Sequence, residues 1–439
     1  MPKSSLTTDL FGRSKSVLAL AAGVASHELR HQVRARLAAT AEKVSASELR
    51  ARIEQAKLLA ESLGRLKGAL MKAGQLLSID ASELLPPEAT EILARLQGEA
   101  EPVEFSVVRG VLAAELGEGL ARLELDERPA ASASIGQVHR GTFLGRPVAV
   151  KVQYPGVAES IDADIALLEK LGGSWLTIAR REMDLSGLFE ELRAILHLEA
   201  DYVRERTYMD LFAERLKGDA RFRVPESVPA LSTTRVLTMS WEEGVPLGAW
   251  IRTEPSLADR VAVSRALLDL YCREFFAWGM VQTDPNFGNF LVRPGPELVL
   301  LDFGATVEYD AAFRAQYVAL LRAVGSGDRR RVVAEGEAMQ LLDPRESDEA
   351  RELFAEMLFS AAEPFDPRRQ PFVFRDADYA ARSREVVQRF SRALVHSPPP
   401  RRLVFLHRKL GGLFQLLKRL DVRLDLAAYW EQMVAGGAA

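Results

Sequence analysis

Gln282-Thr283-Asp284-Pro285-Asn286-Phe287-Gly288-Asn289-Phe290 is followed, after an apolar β-type run at residues 298–301, by Asp302-Phe303-Gly304-Ala305-Thr306. Asp284 and Asn289 have the Asp-x-x-x-x-Asn spacing of a loop that works on phosphoryl groups. Phosphoryl transfer is mostly positioning and charge neutralisation, so magnesium has to be held against the phosphates. Asn289 and Asp302 offer the hard oxygens that magnesium takes. Asp284 stands where a base or water-orienting carboxylate belongs. An isolated Asp-Phe-Gly reads as a turn; the order and spacing of the two motifs carry the phosphoryl-transfer reading.

Upstream, Val148-Ala149-Val150-Lys151 matches a strand that ends in a nucleotide-contacting lysine. Such a lysine needs a carboxylate on the following helix. Glu199 and Glu205 are both available in the run from His197 to Glu205, and spacing alone does not choose between them. The Gly-x-Gly-x-x-Gly loop of an ordinary kinase is missing. Gly117-Glu118-Gly119 is a false trail, because Arg122 replaces the third glycine and the segment reads as helical. In its place stands Ala131-Ser132-Ala133-Ser134-Ile135-Gly136-Gln137, whose small residues still let backbone approach phosphate, although alanine is less permissive than glycine. No Ala-Pro-Glu follows Gly304, so the usual landmark of a peptide-phosphorylating enzyme is absent as well.

Around these motifs the sequence predicts helices over 15–97 and a linker at 98–105. Strands are expected at 138–143 and 147–152, with Leu144-Gly145-Arg146 as the turn between them. Helices follow at 157–180 and 186–217, then a strand at 235–241 and a mostly helical remainder with a loop at 398–400. Strands, a helix, then a helical half is the order of an α+β, bilobal, protein-kinase-like fold. The expected division is a helical extension at 1–105, a smaller β-containing part at 106–243 and a helical part at 244–439.

The 439 residues are 48% hydrophobic, enough to bury a large core, and the net charge of −4 argues against nucleic acid as a partner. Residues 1–72 carry about seven more Lys and Arg than Asp and Glu, which fits either solvated helix faces or a surface for an anionic lipid leaflet. Cys272 is the only cysteine, so no intrachain disulfide can form and a reducing compartment is expected. The six histidines are scattered, without metal-ligand spacing. The apolar run at 17–25 is too short to span a bilayer, and its loose likeness to a signal peptide sits badly with motifs that use ATP in the cytoplasm.

Taken together, residues 131–139, 148–157, 282–290 and 300–306 resemble the UbiB-like atypical kinases of ubiquinone biosynthesis. Gln-Thr-Asp-Pro-Asn and Phe-Gly-Ala-Thr are most similar to the branch with the coenzyme Q kinase-like proteins. The resemblance runs from about residue 65 to 310. It implies ATP and Mg2+ as ligands, with Ala131, Ser132, Ala133, Ser134 and Lys151 at the nucleotide. It maps the family's Glu-x-Asp motif onto Glu199-Ala200-Asp201, which leaves Glu205 as the partner of Lys151. It also matches the family's Lys-x-Gly-Gln motif to Lys72, Gly74 and Gln75, implying a segment folded over the site that blocks protein substrates. Ser132 departs from members with a further alanine there. The expected function is ATP hydrolysis or phosphorylation of a small molecule or lipid, in support of isoprenoid quinone or lipid metabolism. A lipid or quinone precursor and peripheral contact with an anionic membrane are the expected further partners. Rival readings are a protein serine/threonine kinase and a nucleotide-binding scaffold without turnover.

Overall fold

A computed structural model describes residues 103–133, 135–178, 186–284, 286–397 and 401–436. The chain divides into two compact units. Of the described residues, the smaller unit takes Val103, residues 132–137 and 153–197, and the larger takes 104–131, 138–152 and 198–436.

In the larger unit, α1 (Phe105–Leu116) leads through a 3-10 turn into β1 (Leu123–Leu125). Strands β2 (Ala131–Ser132), β3 (Gly136–Phe143), β4 (Arg146–Gln153) and β6 (Val236–Ser240) complete a five-stranded sheet. Its path is β1-β3-β4-β6, with antiparallel pairing along it and β2 also on β3. The hairpin between β3 and β4 turns on Leu144 and Gly145, both at positive φ (50° and 77°), the backbone a two-residue hairpin requires. Along β4, Val148, Val150 and Val152 are buried, so strand alternation sends Lys151 to the opposite face.

In the smaller unit, α2 (Val157–Ile178) and α3 (Ser186–Glu199) are joined through Asp162, which receives both Arg193 and His197. One helix over 186–217 was expected. The structure corrects this to two, α3 and α4 (Tyr202–Arg215), with a break at Ala200-Asp201. The cause is local. Asp201 takes non-helical dihedrals, and its carboxylate accepts the Arg204 N–H as the N-cap of α4.

The rest of the larger unit is not only helical. Beside α5 (Leu247–Arg252) and α6 (Leu257–Cys272) stands a four-stranded sheet with the order β5-β10-β9-β7. Its strands are β5 (Phe222–Arg223), β7 (Val245–Pro246), β9 (Phe290–Arg293) and β10 (Glu297–Leu300). A two-stranded ribbon pairs β8 (Met280–Gln282) with β11 (Thr306–Glu308), putting Gln282 opposite Thr306. Helices α7 (Ala311–Ser326), α8 (Arg329–Ala338), α9 (Asp348–Ala362) and α10 (Ala377–Ala393) follow. The chain then runs through α11 (Arg401–Leu420) and α12 (Ala427–Ala435). The expected loop at 398–400 lies outside the described residues, as do all of residues 1–102.

Candidate functional site

Two strand ends carry the candidate residues. Asp284 lies just beyond the end of β8, and Asp302 just beyond β10. Thr283 locks the two segments together: its N–H and its hydroxyl both donate to the Ala305 carbonyl, at 3.0 and 2.7 Å. Leu301 N–H donates to the Asn289 carbonyl at 3.0 Å. Phe303 is buried and packs against Phe212 of α4 with ring centroids 5.1 Å apart.

Lys151 Nζ donates to both carboxylate oxygens of Glu205, at 2.8 and 2.9 Å, and lies 3.9 Å from Asp302 Oδ2. It also sits 5.0 Å from the centre of the Tyr202 ring. Burial works against the ammonium, but the Glu205 and Asp302 carboxylates outweigh it and hold the lysine well above its usual pKa. Lys151 is therefore a fixed cation at any physiological pH.

Asn289 Nδ2 donates to the Asp284 carbonyl at 3.1 Å and to its Oδ2 at 3.2 Å, which leaves the amide oxygen as the atom with which Asn289 can meet a cation. Asp302 Oδ1 accepts the Gly304 N–H at 2.9 Å, and Oδ2 stands on the Lys151 side. Among the described residues, no group of three or more His, Cys, Asp or Glu has the geometry to hold a metal by itself. Magnesium takes one or two protein oxygens and completes its shell with phosphates and water, and the Asn289 amide oxygen and the Asp302 carboxylate are oxygens of that kind.

Glu199 closes α3 and is buried, with its Cα 3.5 Å from where a Cβ on Gly304 would lie. Asp201 is the exposed cap already described. Ala131 is exposed at the start of β2. Ser132 and Ala133 belong to the smaller unit, where the Ala133 N–H donates to the Gly136 carbonyl. Ser134, Lys72, Gly74 and Gln75 lie outside the described residues.

Sequence reasoning missed the support behind the Asp284 loop. Arg408 on α11, itself buried, donates from Nε to the Thr283 carbonyl at 3.2 Å. Its neighbour Lys409 pairs at 3.0 Å with Glu274, both almost fully buried. Glu274 accepts in turn from the Gln282 backbone N–H. The one available signal was a pair of cations inside an otherwise apolar stretch of α11; their partners are too distant in sequence to be read.

Residues 95–335 match the model of the ABC1 atypical kinase-like domain. The chain belongs to this family. It is 34% identical over 379 residues to the rat protein "Atypical kinase COQ8B, mitochondrial", covering 84% of this chain and 70% of the relative. It is 33% identical to "Atypical kinase COQ8, mitochondrial" of Schizosaccharomyces pombe, covering 84% of this chain and 60% of that one. Among solved structures, the Rv3197–erythromycin complex from Mycobacterium tuberculosis is similar, with a TM-score of 0.59 and 28% identity over 90% of this chain and all of the other. The chain thus has the kinase-like α+β fold and is an enzyme of the atypical kinase type, a family whose members use ATP. No helix among the described residues is long and apolar enough to cross a membrane.

Proposed function

We propose that the chain binds ATP with magnesium and either hydrolyses it or transfers its phosphoryl group to a small molecule or lipid, in support of isoprenoid quinone or related lipid metabolism. The observation that carries the nucleotide reading is the buried Lys151–Glu205 pair with Asp302 at 3.9 Å. A kinase-type centre needs both the lysine–glutamate pair and the metal-binding aspartate in place. Lys151 would meet the phosphates. Asn289 and Asp302 would hold the magnesium, which when bound neutralises charge on the phosphates. Asp284, kept in orientation by Asn289 Nδ2, would accept the proton of the attacking hydroxyl or orient a water. Lys72, Gly74, Gln75, Glu199 and Asp201 are proposed to restrain the site, and Ala131 to Ser134 to border the nucleotide. The quinone link is supported by the likeness to the COQ8 proteins. The basic segment at 1–72 supports peripheral contact with an anionic membrane.

The test is a magnesium-dependent ATPase and phosphotransfer assay, run with and without anionic vesicles and phenolic quinone precursors. Turnover raised by vesicles or precursors is the expected result. Preferential labelling of a protein substrate would favour a protein kinase, and Mg-ATP binding without any turnover would favour a scaffold.

A further inference from the structure

Helix α4 carries Glu205, and the residue beside it reaches the other half of the site. Arg204 Nη1 donates to the Gly304 carbonyl at 2.9 Å, and Nη2 donates to the carbonyl of Thr306. The guanidinium lies 4.5 Å from the centre of the Tyr208 ring, one turn along α4. The Tyr208 hydroxyl donates to Glu308 Oε1 at 2.9 Å, further along the same returning strand. Gly304 is itself tied to Asp302, through its N–H on Oδ1. A continuous set of bonds therefore runs from Lys151 through Glu205, across one peptide unit of α4 to the adjacent Arg204, and through Gly304 to Asp302. The Asp201 cap fixes the start of that turn by accepting the Arg204 N–H at 2.9 Å.

We propose that Arg204 is a positioning residue that couples the nucleotide-binding lysine to the metal-binding aspartate, so that ATP and magnesium bind cooperatively rather than independently. This rests on the nucleotide reading above. The chemistry favours arginine. A planar fork holds two carbonyls and lies flat on a tyrosine, whereas a lysine has one small cationic head and cannot bridge both. Thr306 is fully buried, so its carbonyl needs a donor, and a purely structural role for Arg204 would be to supply one. The two roles differ in a measurable way. If Arg204 only satisfies carbonyls, its loss lowers stability and leaves the mutual effect of the two ligands alone. If it couples them, the mutual effect itself falls.

The experiment measures ATP affinity by calorimetry with and without magnesium, for the parent, Arg204→Lys, Arg204→Gln and Tyr208→Phe, beside the melting temperature of each free protein. Chelation of ATP by magnesium in solution is common to all, so differences between variants belong to the protein. The factor by which magnesium tightens ATP binding should fall on the order of tenfold in both Arg204 variants, within the usual span of coupling between sites. Tyr208→Phe, which keeps the ring under the guanidinium and loses only the Glu308 bond, should give a smaller loss in the same direction. If Arg204→Gln does not fold, Arg204→Lys and Tyr208→Phe carry the test. Lowered melting temperatures with an unchanged factor in the folded variants would overturn the coupling and leave the nucleotide reading standing. A parent that binds no Mg-ATP would overturn the nucleotide reading itself, and the coupling with it.

Discussion

In the proposed site, Lys151, Asp284, Asn289 and Asp302 divide the work by atom. Asp302 offers one oxygen to the Gly304 N–H and turns the other towards Lys151. Replacing it with asparagine removes the charge and leaves a weaker, neutral oxygen for a hard cation. Asp302→Asn should therefore lose the magnesium-dependent part of any thermal shift given by ATP; an unaltered shift would remove Asp302 from the site. Asp284 is proposed for a different task, because its oxygen is oriented by Asn289. Asp284→Asn should keep Mg-ATP binding near the parent level and lower turnover by about a hundredfold or more, the usual scale for losing a general base. Single-turnover rates at saturating Mg-ATP decide this, and equal rates would refute the assignment. The pairing of Lys151 also fixes a sign. Its pKa is raised in the folded chain, so the stability that the lysine contributes is present below the ordinary lysine range and is lost as pH rises through the folded value, while burial raises the Glu205 carboxyl to about 7, so the pair is fully ionic only above that pH.

At the scale of elements, α4 owes its start to Asp201. Asp201→Ala should destabilise the protein by about 1 kcal/mol, the usual loss of an N-cap, while Asp201→Asn keeps the cap and should stay near the parent in urea unfolding. If asparagine costs as much as alanine, the charge and not the cap is what matters there. The α11 helix offers a stronger case. Lys409 and Glu274 are buried against each other, and removing one leaves an uncompensated charge. Lys409→Met should cost about 3–5 kcal/mol, and adding Glu274→Leu should recover most of it. No recovery in the double variant would mean that Glu274 acts mainly through the Gln282 N–H it accepts. Phe212 against Phe303 and Arg204 against Gly304 give α4 an apolar and a polar hold on one short segment.

Across the whole molecule, Cys272 reports on the core. It closes α6, is almost fully buried, and burial pushes its thiol up to about 12. A neutral, inaccessible thiol reacts slowly. The native protein should therefore resist a thiol reagent until it opens, and its labelling in urea should track the loss of tertiary structure. Rapid labelling without denaturant would mean that the α6 region opens independently of the rest. Bound Mg-ATP should slow this labelling, because a ligand that binds only the folded state lowers the population of open forms.

The motifs at Lys151, Asp284, Asn289 and Asp302 were legible because each is short and its spacing is local. The apolar alternation of Val148, Val150 and Val152 likewise announced its own strand. The choice between Glu199 and Glu205 was not legible from spacing, since both follow Lys151 on helical sequence and only the packing of α4 brings one of them to 2.8 Å. The break before α4 was missed because helical periodicity continues across it, while the capping bond of Asp201 is decided by one set of backbone dihedrals. Arg408, Lys409 and Glu274 were invisible for a third reason: a buried cation is recognised by its partner, and the partner is supplied by a remote element. Sequence by itself determined the family, the strand-then-helix order and the kinds of atom that the proposed phosphate site calls for. Tertiary structure decided which carboxylate holds the lysine and which helix steadies the loop, because those choices depend on distances set by packing between elements far apart in the chain.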